Sequence, residues 1–217
     1  RDTFISLPGL TLATKEYDEF YKMMETAIKA IDDFIDCNPI SVKIYEMDQP
    51  DVLLWAMWCM QQYGKYVNHV DCGERYGHVI KKMMDFLRGG KHPNLFVHDN
   101  GLVYTNGRDK AVTWMNSTSY GRPVVPRSGY VVEINALWYN ALRFTAELQR
   151  VRGKEMAADL MEYQAEITKD AFIKTFWNGM YLNDYVNDGW ANKEVRPNQI
   201  WAASLPYSPL DKKQAKA

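Results

Sequence analysis

The stretch that most limits the architecture is Val52 to Met60, VLLWAMWCM, which contains no charged residue. Asp48 and Pro50 just before it mark a helix start. A helix that is apolar on every side must be buried on both flanks. It is also far too short to span a bilayer, which takes about 20 apolar residues. Other elements must therefore pack around it, and the chain supplies them as striped helices. Phe20, Met24, Ala27, Ile28, Ile31 and Ile35 share one face of a run that Thr14 is placed to cap and Asn38-Pro39 ends. Tyr76, Val79, Ile80, Met83, Met84 and Leu87 share a face between Asp71 and Arg88, before Gly89-Gly90. Methionines in such a stripe read as core filler rather than ligands. A further amphipathic helix runs from Glu133 to Gln149, with Ile134, Leu137, Trp138, Ala141, Leu142, Thr145 and Leu148 in line. After Gly153 the helical pattern resumes from Lys154 to Phe176.

Shorter elements fill the rest. Thr3 to Leu12 reads as a short buried helix kinked at Pro8. Residues 40–47 alternate weakly and read as extended. Leu95 to Thr105, with Asn100-Gly101 at its centre, reads as a β-hairpin. Tyr181 to Glu194 reads as loop, Pro197 to Ala203 as a short buried helix, and Ser208 or Asp211 opens a last one. Buried and half-exposed helices alternate, joined by short loops. The fold class expected is all-α, an α/α toroid with an inner ring of buried helices, an outer ring of half-exposed ones and a small β-hairpin insertion. No fixed-period repeat of a solenoid is present.

Composition narrows the partners. The formal net charge of −1 provides no field for nucleic acid or an acidic membrane. The three cysteines, Cys37, Cys59 and Cys72, form an odd count without metal spacing and point to a reducing, cytoplasmic compartment. The four histidines, His69, His78, His92 and His98, are scattered and suggest no metal site. No signal peptide or spanning segment is visible. Nothing in the pattern specifies an oligomeric state.

Thr113 to Tyr130, TWMNSTSYGRPVVPRSGY, is broken by glycine and proline and feeds the helix that opens with Glu133. Loops held by a rigid helical frame carry function more often than the frame does.

TWM-N, RPVVPRSG and VEINALWYNALR resemble the glucosidase domain of glycogen debranching enzymes, the amylo-α-1,6-glucosidases. The opening RDTFISLPGLTL is similar to that family's substrate-binding motif, and RPNQIWAASLPYSPL to its RPNQ segment. The matches fall in family order across almost the whole chain. The resemblance implies a six-hairpin toroid of about twelve helices, against about eight read here. The chain also opens without Met and inside a motif. Residues 1–217 are thus expected to be the N-terminal part of a single toroidal glucosidase domain, a fragment.

The activity implied is inverting hydrolysis of α-1,6-linked glucosyl stubs on glycogen or a related α-glucan, without cofactor. One carboxyl group protonates the leaving oxygen while another activates water. The family's acid ends the motif Thr-Trp-Met-Asp, and here that position is Asn116, which has no dissociable proton. General acid help is worth about 10²–10⁴-fold. Three readings follow: an inactivated variant, a subgroup using another acid with Glu133 the nearest candidate, or a sugar-binding relative without catalysis. Glu133 either reaches a pocket or serves its own helix N-terminus. The water-activating base is expected past Ala217.

The resemblance also implies substrate contacts. Arg1 and Asp2 would hold hydroxyls of the terminal glucose; the alternative is a frayed terminus with an exposed ion pair. Asp51, just before the Leu-Trp that ends in Trp55, matches an acidic residue that faces the pocket in toroidal glucosidases; the alternative is that it only favours its helix N-terminus. Trp114 is a stacking wall or a core residue. Arg127 orients a carboxylate or a hydroxyl, or makes a loop salt bridge. Arg196, Asn198 and Gln199 line the pocket or pin a loop.

Overall fold

A computed structural model of the chain describes residues 1–38 and 46–216. Its framework is helical. α1 (Asp2–Leu7) continues without a break into a π-helical turn, Pro8–Leu12. The expected kink at Pro8 is instead a widening. The proline ring clashes with the carbonyl one turn back, and the wider turn relieves it. The Ala13 amide then donates five residues back, to the Pro8 carbonyl at 3.0 Å. Thr14 does not cap the next helix. Its hydroxyl donates to the carbonyls of Leu10 and Thr11, closing the wide turn.

Next come α2 (Tyr17–Ile35), α3 (Val52–Tyr66), α4 (His69–Arg88), α5 (Val132–Val151), α6 (Glu155–Phe176) and α7 (Gln199–Ser204). The expected extended segment at 40–47 lies mostly outside the described residues. The Asn68 side chain accepts from the Asp71 amide at 2.7 Å and caps α4. The final helix expected from Ser208 or Asp211 is only a short 3-10 turn, Gln214–Lys216.

Packing follows the hydrophobic patterns. From Val52 to Met60 every residue is buried except Trp58, which is half-buried. Phe20, Met24, Ala27 and Ile31 point from α2 into the same core. α5 departs from its striped reading, since Val131 through Leu142 are all buried. It packs on α3, α4, α6 and α7, and only toward its end do Arg143, Glu147, Arg150 and Val151 reach water. Most of its buried polar residues are accordingly bonded, although Gln149 Oε1 is left without a partner. Asn140 donates to Gln61 on α3 at 2.8 Å. Asn135 takes the amide of Val103 and gives its own N–H groups to the carbonyls of Val103 and Val131.

α1, α3, α5 and α7 form a row in which each packs on the next, and α2, α4 and α6 lie alongside. Short turns join α3 to α4 and α5 to α6, at residues 67–68 and 152–154. Such turns make sequential helices antiparallel. The long connectors, 36–51, 89–131 and 177–198, all lead into helices of the first row. Arg1 and Asp51 join the beginnings of α1 and α3. Trp55 and Trp201, near the beginnings of α3 and α7, meet edge to face at 4.7 Å. Asn140 and Gln61 lie at similar depths along α5 and α3.

These connectors carry β1 (Phe96–Val97), β2 (Val103–Thr105), β3 (Thr118–Ser119), β4 (Arg122–Pro123), β5 (Gly129–Val131), β6 (Tyr185–Asn187) and β7 (Trp190–Asn192). β1 and β2 are the expected hairpin. It does not stand alone, however: an antiparallel sheet runs β1-β2-β5-β6-β7, and β3 and β4 pair separately. The all-α expectation is corrected to that extent, and Tyr181 to Glu194 is in part a hairpin rather than a loop. The turn between β6 and β7 has positive φ at Asp188 and Gly189 (48° and 79°), as a two-residue type I′ hairpin requires.

Cys59 and Cys72 are buried and Cys37 is exposed, all three as free thiols. Among the described residues no helix is long and apolar enough to cross a membrane.

One buried group makes stability depend on pH. His92 packs edge-on against Phe34 and Phe86. The Asn94 amide donates to its Nδ1 at 3.1 Å, which fixes the neutral ring. Burial lowers its pKa to about 4. The unfolded chain, with the usual value near 6.5, takes up this proton first. Folded stability should therefore fall as pH drops from about 6.5 toward 4, by up to about 3 kcal/mol from this residue alone. Urea midpoints measured across that range should flatten in His92→Gln, and an unchanged slope would dismiss the assignment.

Candidate active site

The centre of the connector end is Arg127, which lies between Pro126 and β5 and is only 2% exposed. A guanidinium so deeply buried must have every face matched. One edge grips the Glu133 carboxylate, with Nη1 on Oε1 and Nη2 on Oε2 at 2.6 Å. The other edge grips Asp184, with Nε on Oδ2 at 2.9 Å and Nη2 on Oδ1 at 2.7 Å. Nη1 also donates to the Thr113 hydroxyl at 3.2 Å. Asp184 receives two more donors, Arg196 Nη1 at 2.8 Å and Asn198 Nδ2 at 2.7 Å. Two carboxylates thus face two guanidinium groups.

Burial works against the charge on Arg127, but Glu133 and Asp184 outweigh it and raise its pKa. Burial likewise pushes the Glu133 carboxyl above the ordinary carboxylate range, while Arg127 pulls it back. Glu133 stands in the first turn of α5, where its own backbone amide also favours the charged carboxylate. Its side-chain partner is Arg127.

The network reaches the surface through Asn198. The Asn198 side-chain oxygen accepts the indole N–H of Trp114 at 2.9 Å, and its Nδ2 lies 3.2 Å from the sulfur of Met115. Thr113, at the root of the same turn, accepts from the Met115 amide at 3.3 Å. The loop is therefore held on both sides while its tip stays open. Trp114 is 46% exposed. Asn116 is exposed as well, with its amide donating to the Trp114 carbonyl at 2.9 Å.

The backbone beneath is tight at two glycines. A Cβ on Gly107 would lie 2.0 Å from the Arg127 carbonyl oxygen. Gly129 has φ +101°, and a Cβ there would lie 2.3 Å from the Val186 carbonyl oxygen. Only glycine admits such approaches.

A second cluster joins α1 to α3. Arg1 Nε donates to Asp51 Oδ2 at 2.6 Å and Nη2 to Oδ1 at 2.9 Å, both residues buried. Burial raises the Asp51 carboxyl and Arg1 counters it. Asp2 is exposed in the first turn of α1. Trp55 is buried against Trp58 and Trp201. Gln199 is half-buried, and its Oε1 accepts from the Leu182 amide at 3.1 Å, which pins the segment ahead of β6.

The structure thus brings Trp114, Arg127, Glu133 and Asn198 into one connected assembly, to which Asn116 is joined through its backbone N–H on the Trp114 carbonyl. Arg1, Asp51 and Trp55 form a separate cluster that meets α7 through Trp201. Asp184 and Thr113 are essential members that the sequence reading did not single out. Asp184 lies 57 residues from Arg127, and no local spacing marks it. Among the described residues no group of three or more His, Cys, Asp or Glu side chains is arranged for a metal.

Chemically, the open part of this assembly offers an exposed indole and, two residues on in the same loop, an exposed neutral amide. That pairing suits a ring with an apolar face and hydroxyl edges. The carboxylates behind it are occupied by guanidinium groups.

Comparisons with known proteins bear on this arrangement. A search of curated proteins finds no match. Among solved structures, the GH78 family rhamnosidase of Bacillus sp. GL1 is similar over 71% of this chain, with TM-score 0.51 and 18% identity. The match spans only 15% of that rhamnosidase, and it shows a likeness of fold. The family model described as amylo-alpha-1,6-glucosidase matches residues 1–217, and the chain belongs to that family.

Proposed function

We propose that the intact protein is a glycoside hydrolase of the debranching type, acting on α-1,6-glucosyl stubs of glycogen or a related α-glucan in the cytoplasm. Residues 1–217 would form the N-terminal part of one α/α toroid, with α1, α3, α5 and α7 in the inner ring. One observation carries the reading. The family match covers the whole chain, and within it Trp114 and Asn116 are among the exposed side chains of a loop pinned through Asn198.

In the mechanism proposed, Trp114 stacks on the glucosyl ring and Arg127, with Glu133 and Asp184, holds the loop in place. Asn116 stands where the family's acid would protonate the leaving oxygen. It offers a hydrogen bond in place of a proton. The water-activating carboxylate would come from the sequence after residue 217, and no cofactor takes part. Glu133 is the alternative acid, but to donate a proton it would have to leave the Arg127 fork.

The test is incubation of the intact protein with a glucosyl-branched limit dextrin and assay of free glucose. Slow release is expected, because acid assistance worth about 10²–10⁴-fold is missing. Asn116 also favours a second reading, an α-glucan-binding relative that does not cleave. Bound dextrin without glucose would select it. Release of glucose from maltose or trehalose in preference to the dextrin would instead indicate a glucoamylase-like or trehalase-like toroidal enzyme.

A further inference from the structure

A cavity of about 680 Å³ lies over the sheet, between the β1–β2 hairpin and the β6–β7 hairpin. Its volume falls in the range of about 300–1,000 Å³ typical of small-molecule sites. None of Trp114, Asn116 and Glu133 lines it. Phe96, Tyr104, Tyr185 and Trp190 supply aromatic surface, and Asn106 and Asn187 supply amides. Trp190 is 58% exposed and Phe96 41% exposed, although nothing in the sheet requires bare aromatic rings there. Tyr185 and Trp190 meet at 5.8 Å with their planes tilted by 57°, so they form an angled wall rather than a closed stack. The Tyr104 hydroxyl donates to Asn187 Oδ1 at 3.2 Å, which fixes that amide.

The charges in the lining cancel, since Arg108 is matched by Asp188. Apolar ring faces with neutral amides and hydroxyls suit a neutral polyhydroxyl chain better than an anion, a peptide terminus or a lipid. The cavity also borders the assembly described above. Pro126 and Ser128 line it and flank Arg127, and Tyr185 lines it and follows Asp184.

We propose that this cavity binds the α-1,4-linked glucan chain of the polymer, as a docking site beside the stub site, with Trp190 and Phe96 as its stacking platforms. The proposal rests on the α-glucan reading given above. It adds that recognition of the chain is separate from recognition of the reacting unit.

The experiment titrates the intact protein with maltoheptaose by calorimetry, with cellopentaose as a control. Trp190→Ala and Phe96→Ala are each expected to weaken maltoheptaose binding about tenfold, as loss of a stacking platform does. Trp190→Phe should bind within about threefold of the parent. Trp190 lies on an exposed hairpin, so the melting temperatures of these variants should match the parent's.

Equal maltoheptaose affinity in the parent and both alanine variants overturns the proposal. So does equal binding of cellopentaose. Glucose release from limit dextrin separates this site from the reaction. A protein that binds maltoheptaose through Trp190 but releases no glucose keeps the docking site and loses the hydrolase reading. A protein that releases glucose, yet binds maltoheptaose equally well without Trp190, keeps the reaction and loses the docking site.

Discussion

Asn116→Asp in the intact protein is expected to raise the rate of glucose release from limit dextrin by about 10²–10⁴-fold. That corresponds to about 3–5 kcal/mol of transition-state stabilisation. The substitution exchanges an amide for a carboxyl group of nearly the same shape. The bonds that hold the loop belong to Thr113, Trp114, Met115 and Asn198, and all of them remain. The gain should therefore appear in kcat, with KM nearly constant. The pH profile should change as well. The introduced carboxyl group acts only while protonated, so the variant should lose rate as pH rises through the pKa of that group, whereas the parent lacks this alkaline limb. An unchanged rate with dextrin still bound would show that position 116 is not where the proton enters.

Arg127→Met is expected to destabilise the fold by about 3–5 kcal/mol, because it leaves buried carboxylates without their counter-charge. Glu133 loses both of its bonds, whereas Asp184 retains Arg196 and Asn198. The deficit therefore falls mainly on Glu133. Replacing both partners, as in Arg127→Met with Glu133→Met, should recover much of the loss, since no unpaired charge is then left in the core. Urea unfolding of the parent, the two single variants and the double variant measures the coupling. If the double variant were no more stable than Arg127→Met alone, the ion pair would not be what the arginine satisfies. The single variant should also release the Trp114 loop, visible as a change in tryptophan fluorescence.

The helical frame was legible because its signals are local. The uninterrupted apolar run of α3 and the stripes of α2 and α4 each repeat over several turns. α5 was harder, since Glu133, Asn135 and Asn140 break its apolar pattern although they are buried. Each is satisfied by a partner on another element, which periodicity does not register. The strands were mostly missed because two or three residues give no room for alternation. The β6–β7 hairpin did leave a trace, Asp188-Gly189 between the short runs Tyr185–Asn187 and Trp190–Asn192. Within the candidate site, Trp114, Arg127, Glu133 and Asn198 were legible from their motifs. Asp184 was not, because a carboxylate becomes necessary there only once the sheet carries Arg127 to it.

The helices of this chain turn back through a few residues at one end and through long excursions at the other. The residues argued to meet sugar hang from those excursions or from helix starts, Arg1 and Asp2 standing at that of α1. Exchanging only the exposed tips of 89–131 or 177–198 would thus recast what the protein grips, while their buried anchors, Val103, Arg127 and Asp184, go on holding α5. Within each excursion the anchors set whether the chain keeps its shape, and the tips set which molecule that shape is presented to.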